Sequence, residues 1–112
     1  MRDEYGCPKV KTVQPKPSHY SADYATWFQD PLIIAAYPAR PPYPEQVFET
    51  LSSLVLDAPR AVLDVGCGPG DLARRLAPLV ERVDAVDIAA GMLELGQRLP
   101  GGGASNLRAA RR

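Results

Sequence analysis

Ala61-Val62-Leu63-Asp64-Val65-Gly66-Cys67-Gly68-Pro69-Gly70-Asp71-Leu72 is the stretch on which the reading of this chain turns. Val62, Leu63 and Val65 are apolar or β-branched and predict a short strand covered on both faces, as in a parallel sheet. Gly66, Gly68 and Gly70 then alternate, so the backbone can turn through angles closed to other residues and a ligand can approach the main chain. Leu72, Leu76 and Val80 follow at helical spacing and predict a helix from about Asp71 to Val80. A strand ending in such a turn aims unpaired N–H groups at whatever occupies the crevice beyond it.

Spacing narrows the ligand. Dinucleotide sites carry G-x-G-x-x-G, whose third glycine lets helix and strand pack closely. Here the glycines run G-x-G-x-G, Asp71 stands where that third glycine belongs, and Asp64 lies two residues before the first. A P-loop is excluded, because no Gly-Lys-Ser/Thr follows. Downstream, Val83-Asp84-Ala85-Val86-Asp87-Ile88 predicts a second strand ending in an acid. An ionised carboxylate there is acceptor-only and can take both ribose hydroxyls of a nucleoside. Dehydrogenases use the same device, so Asp87 speaks for a nucleoside without choosing between cofactors.

The run Val62-Leu63-Asp64-Val65-Gly66-Cys67-Gly68-Pro69-Gly70 resembles the first motif of class I S-adenosylmethionine-dependent methyltransferases, and Asp87-Ile88-Ala89-Ala90-Gly91-Met92-Leu93 resembles that family's segment after the second strand. The resemblance covers about residues 30 to 100. It implies a Rossmann-like α/β fold, S-adenosyl-L-methionine as cofactor, and a small-molecule methyl acceptor. It also implies a set of cofactor-binding residues: Asp64, Gly66, Cys67, Gly68, Gly70, Asp87, Ile88 and Met92. In that set Asp87 takes the ribose hydroxyls, the glycines allow the close approach, and Asp64 lies near the methionine end. The alternatives are an NAD-type dinucleotide site and a non-catalytic nucleoside-binding or interaction fragment.

Thirteen basic and thirteen acidic side chains cancel across 112 residues, so no global charge points to nucleic acid or an anionic membrane. The length leaves room for one small domain. Cys7 and Cys67 make neither a disulfide framework nor a zinc spacing, and are expected to be unpaired thiols in a reducing cytoplasm. No metal site is expected. The apolar run from Leu32 to Tyr37 is too short to span a membrane, and the N-terminus lacks the pattern of a secretion signal.

In chain order, residues 1–20 are rich in Lys and Pro without a sustained period and are expected to form a disordered leader. His19, the only histidine, sits in no sequence motif that pairs it with an acid or a nucleophile and reads as a linker residue. Residues 21–43 gather most of the aromatics. Asp30-Pro31 predicts a helix start, with Leu32, Ile33, Ala36 and Tyr37 on its apolar side. Tyr37-Pro38-Ala39-Arg40-Pro41-Pro42-Tyr43-Pro44 resembles a Y-x-x-R-P-x-Y-P stretch of small-molecule methyltransferases, which implies a lid over the cofactor's methionine end from Tyr37, Arg40 or Tyr43. Residues 44–112 are expected to be the N-terminal part of the methyltransferase domain. Pro44 to Leu56 predicts an amphipathic helix whose stripe is Val47, Phe48, Leu51, Leu54 and Val55. Arg74 and Arg75 are expected on a solvated helix face. Ala90 to about Leu99 predicts a helix weakened by Gly91 and Gly96, each at a cost of roughly 1 kcal/mol against alanine.

After Pro100-Gly101-Gly102-Gly103, Asn106-Leu107-Arg108 hints at a third strand that dissolves into Ala-Ala-Arg-Arg. The family's sheet has seven strands, so about two strands predict a truncated reading frame. No catalytic acid or base can be named. The first strand should keep one edge unpaired, and the chain should be inactive by itself and either molten or self-associating through that edge.

Overall fold

In a computed structural model of the chain, the described residues are 4, 6, 15, 17–20, 23 and 26–112. Most of the expected leader lies outside them, as do Cys7 and Tyr24. The fold is built on three strands: β1 (Ala61–Val65), β2 (Arg82–Asp87) and β3 (Leu107–Arg111). They form one parallel sheet in the order β1-β2-β3. Four α-helices with both ends among the described residues accompany them: α1 (Pro31–Ala36), α2 (Glu45–Leu54), α3 (Asp71–Leu76) and α4 (Ala90–Arg98). The alternation from β1 through α3, β2 and α4 to β3 is the crossover pattern a parallel sheet requires.

Register separates the two faces of the sheet. Val62 pairs with Val83, Asp64 with Ala85, and Val83 with Leu107, so these side chains share one face. That face meets Phe48 of α2 and Ala73 and Leu76 of α3, and the resulting core holds Val83 and Ala85. Leu93 of α4 lies over the same face, beside Ala85, Leu107 and Ala109. On the other face Leu63 pairs with Asp84 and Val65 with Val86. Leu63 is 65% exposed and Val65 73%. The strand predicted to be covered on both faces is covered on one.

Other expectations shift for local reasons. A third strand forms in full, because β2 offers an open edge that Leu107 to Arg111 complete and Leu107 packs against the core. Tertiary pairing overrides the poor strand propensity of Ala109 and Ala110. In α2, Pro44 caps the helix instead of entering it, and the helix stops at Leu54, which is exposed. The helix expected to run to Val80 ends at Leu76, with a 3₁₀ turn over Ala77–Leu79 that contains Pro78, a residue without an N–H for the α ladder. In α1, Asp30 Oδ1 accepts from Leu32 N at 2.8 Å as the cap predicted, but Leu32 is exposed and Ile34 is the residue that docks.

Gly91 and Gly96 show why α4 tolerates poor helix formers. A Cβ on Gly91 would lie 2.5 Å from Ile34 Cδ1, so the missing side chain is where α1 seats. A Cβ on Gly96 would lie 2.9 Å from the Pro69 carbonyl carbon and closer still to its oxygen. These two glycines trade helix propensity for contact with α1 and with the glycine turn.

Candidate functional site

At the carboxyl end of β1 the chain turns through Gly66 (φ 73°), Gly68 (φ 57°) and Gly70 (φ 81°), all in the left-handed region that glycine adopts without strain. Gly66 N and Cys67 N both donate to Val86 O, at 2.8 and 3.0 Å, which ties the turn to the end of β2. Asp87, the last residue of β2, then uses both carboxylate oxygens. Oδ2 accepts from Gly68 N at 2.7 Å and Oδ1 from Ala89 N at 2.8 Å. One carboxylate therefore fixes the glycine turn and the entry to α4 together. Each oxygen has a second lone-pair site, so Asp87 can still accept two further donors.

Beside this carboxylate lies a cavity of about 490 Å³. Gly66, Gly68, Asp87, Ile88 and Met92 line it from the sheet side. Phe28, Tyr37 and Arg40, from the segment ahead of β1, line it from the other. Arg40 Nη1 donates to the Tyr37 hydroxyl and its guanidinium sits 4.8 Å from the ring centroid, so the two side chains form one unit. The Tyr37 hydroxyl stands 3.6 Å from where a Cβ on Gly68 would be, an ordinary contact, so the left-handed backbone of Gly68 rather than crowding favours glycine there.

Five of the eight residues implied by the family resemblance meet in this cavity. The other three do not line it. Cys67 and Gly70 face a void of about 20 Å³ beneath the turn, shared with Ala73, Arg74, Leu93 and Gly96. Asp64 is half-buried on the helix-covered face of β1. Burial first, and the Asp87 carboxylate second, push the Asp64 carboxyl above the usual carboxylate range. The Cys67 thiol is pushed up to about 11, chiefly by burial and then by the charges of Asp64 and Asp87. Phe28 was not foreseen at the site; its sequence signal is one aromatic among several with no fixed spacing to the turn.

The arginines on α3 correct the sequence reading. Arg74 is turned back under the glycine turn and Arg75 lies 3.8 Å over the Phe48 ring while pairing with Glu45. A second cleft of about 290 Å³, between Arg40, Tyr43, Phe48, Arg74 and Arg75, adjoins the first across Tyr37.

The comparisons with known proteins agree with this geometry. Residues 62–110 match the model of a methyltransferase domain family. A candidate type II methyltransferase from Anaeromyxobacter dehalogenans is 32% identical over 63% of this chain and 28% of its own, with a TM-score of 0.50. The CcbJ methyltransferase from Streptomyces caelestis is 29% identical over 79% of this chain and 37% of its own, at a TM-score of 0.59. This is part of the class I methyltransferase fold. A third structure with the same fold is an S-adenosylmethionine-dependent methyltransferase from Thiobacillus denitrificans in complex with S-adenosyl-L-homocysteine, 22% identical over 72% of this chain and 35% of its own, at a TM-score of 0.55. The chain thus spans 28–37% of the length of these three methyltransferases. No curated protein matches it. In the class I methyltransferase sheet built here, no helix among the described residues is long and apolar enough to cross a membrane.

Proposed function

We propose that this chain carries the S-adenosyl-L-methionine site of a methyltransferase acting on a small molecule. The observation that carries the reading is the cavity in which Asp87, Gly66 and Gly68 face Tyr37 and Arg40. Its volume of about 490 Å³ falls in the range of small-ligand pockets. Asp87 keeps two acceptor sites for a ribose diol, the backbone at Gly66 is open on its cavity side, and Ile88 and Met92 supply apolar wall for a purine. The residues present therefore fit a nucleoside cofactor. Tyr37 and Arg40 would close over its amino-acid end, where the guanidinium suits a carboxylate. Cys67, Gly70 and Asp64 would act from behind the turn. Residues 21–43 would serve as the lid and 44–112 as the cofactor-binding unit.

When bound, S-adenosylmethionine supplies a sulfonium methyl group open to attack by a nucleophile. This chain's part is to orient the cofactor and exclude water from it. The small-molecule acceptor is supported by the Tyr37 to Pro44 stretch, similar to that of small-molecule methyltransferases, and by the zero net charge.

Calorimetry with S-adenosylhomocysteine tests the reading. Binding to the wild-type chain is expected, and Asp87→Asn should weaken it by about 1.5–3 kcal/mol, because one of two charge-assisted acceptors is lost. NAD should not compete, since Asp71 stands where a pyrophosphate site needs glycine. Equal affinity in Asp87→Asn, or displacement of the homocysteine ligand by NAD, would overturn it.

A further inference from the structure

Asp87 pins the glycine turn from the cavity side. From the opposite side a single guanidinium holds it. Arg74 Nε donates to Pro69 O at 3.1 Å, Nη1 to Pro100 O at 2.9 Å, and Nη2 pairs with Asp71. Three segments meet there: the turn, the first residue of α3, and the loop after α4. The Arg74 side chain is 12% exposed. Gly96 of α4 packs directly on the Pro69 carbonyl, so that oxygen is shielded and needs a donor from within the protein. The start of α3 has no capping side chain, because Gly70 stands at the N-cap in a left-handed conformation. A side chain one turn into the helix points back toward the N-terminus, which is how Arg74 reaches the turn.

We propose that Arg74 is a positioning residue for the cofactor site, holding the Pro69 carbonyl so that Gly66 and Gly68 keep their backbone turned toward the cavity. The peptide that carries the Pro69 carbonyl also carries Gly70 N, which donates to Cys67 O at 3.0 Å. The Cys67–Gly68 peptide in turn donates Gly68 N to Asp87, so rotation of the Pro69 carbonyl would be passed to the amide that orients this carboxylate. The forked guanidinium matters because its bonds diverge to three acceptors, and a lysine ammonium offers a point charge without that planar fork. The inference rests on the reading of the cavity as a nucleoside site.

Arg60 provides the control. It is also a carbonyl clamp, donating to Ser52 O and Leu79 O at 2.7 Å each, but it precedes β1 at the end of the strand away from the turn. Arg74→Ala should weaken S-adenosylhomocysteine binding roughly tenfold, the scale of one hydrogen bond to a charged group. Guanidinium chloride at tens of millimolar should restore it, and sodium chloride at the same strength should not. Arg60→Ala should lower the melting temperature while leaving that affinity unchanged. Equal losses in the two variants, or no loss in Arg74→Ala while the wild type binds, would overturn the positioning role. If the wild type itself does not bind, the proposed function fails and amide hydrogen exchange decides the inference separately. Faster exchange at Gly66 to Gly70 in Arg74→Ala than in Arg60→Ala sustains it, and equal exchange ends it.

Discussion

Asp64 and Asp87 place two carboxylates at the end of one sheet face, and they are not equivalent. Asp87 is anchored by two backbone N–H groups, at 2.7 and 2.8 Å. Asp64 is half-buried, and burial together with the charge of Asp87 raises its pKa. A raised value means that the folded chain holds this proton more tightly than the unfolded chain does. The stability Asp64 permits is therefore greatest at low pH, and it declines as pH rises from the usual carboxylate range through the residue's folded value. Asp64→Asn removes that decline. The melting temperature of Asp64→Asn minus that of wild type should grow with pH across this window and then level off. A difference that stays flat with pH would refute the coupling. The same surroundings predict an inert thiol: Cys67, pushed up to about 11, should resist iodoacetamide at neutral pH in a Cys7→Ser background.

At the scale of elements, α4 sets intrinsic preference against packing. Alanine at Gly96 should gain roughly 1 kcal/mol of helix propensity. It would also drive a methyl group into the Pro69 carbonyl, and overpacking of that kind costs about 1–3 kcal/mol or more. The clash wins, because a backbone carbonyl held by Arg74 cannot move aside. Urea denaturation should show Gly96→Ala to be less stable than wild type, and an increase in stability would mean that α4 is not seated on the turn. At Gly91 the obstacle is only the tip of Ile34, so alanine there should disturb α1 and leave the sheet intact. The sequence carried β1, the glycine turn, β2 and α4 openly, because hydrophobic runs and glycine spacing are local signals. Arg74 was not legible: a six-residue helix is too short for periodicity to say which face is inward. Of β3 only the start near Leu107 was legible, because Ala109 and Ala110 carry no strand preference and are held by pairing with β2. The exposed side of Leu32 was missed because α1 docks through Ile34 into a gap on another helix.

For the whole molecule the asymmetry of the sheet decides the behaviour. α3 and α4 cover one face, while Leu63 and Val65 stand exposed on the other beside the edge of β1 that no described strand pairs. Gly66 N points to β2, and alternation along the strand directs the N–H groups of Leu63 and Val65 away from it, to the open side. No proline interrupts β1, and its one charge, Asp64, lies on the covered face. Native edges are commonly blocked by such features, and this one is not. Backbone donors in line with two exposed apolar side chains form a template for another strand. The 112-residue chain should therefore associate with itself as concentration rises. Leu63→Lys puts a charge on the exposed face at the centre of that edge without disturbing the core, so it should weaken association at least tenfold and leave the melting temperature of dilute protein nearly unchanged. Light scattering across a concentration series measures both forms. A wild-type chain that stays monomeric throughout would show that this edge is protected by something other than the sequence of β1, and association unaltered in Leu63→Lys would move the contact to a different surface.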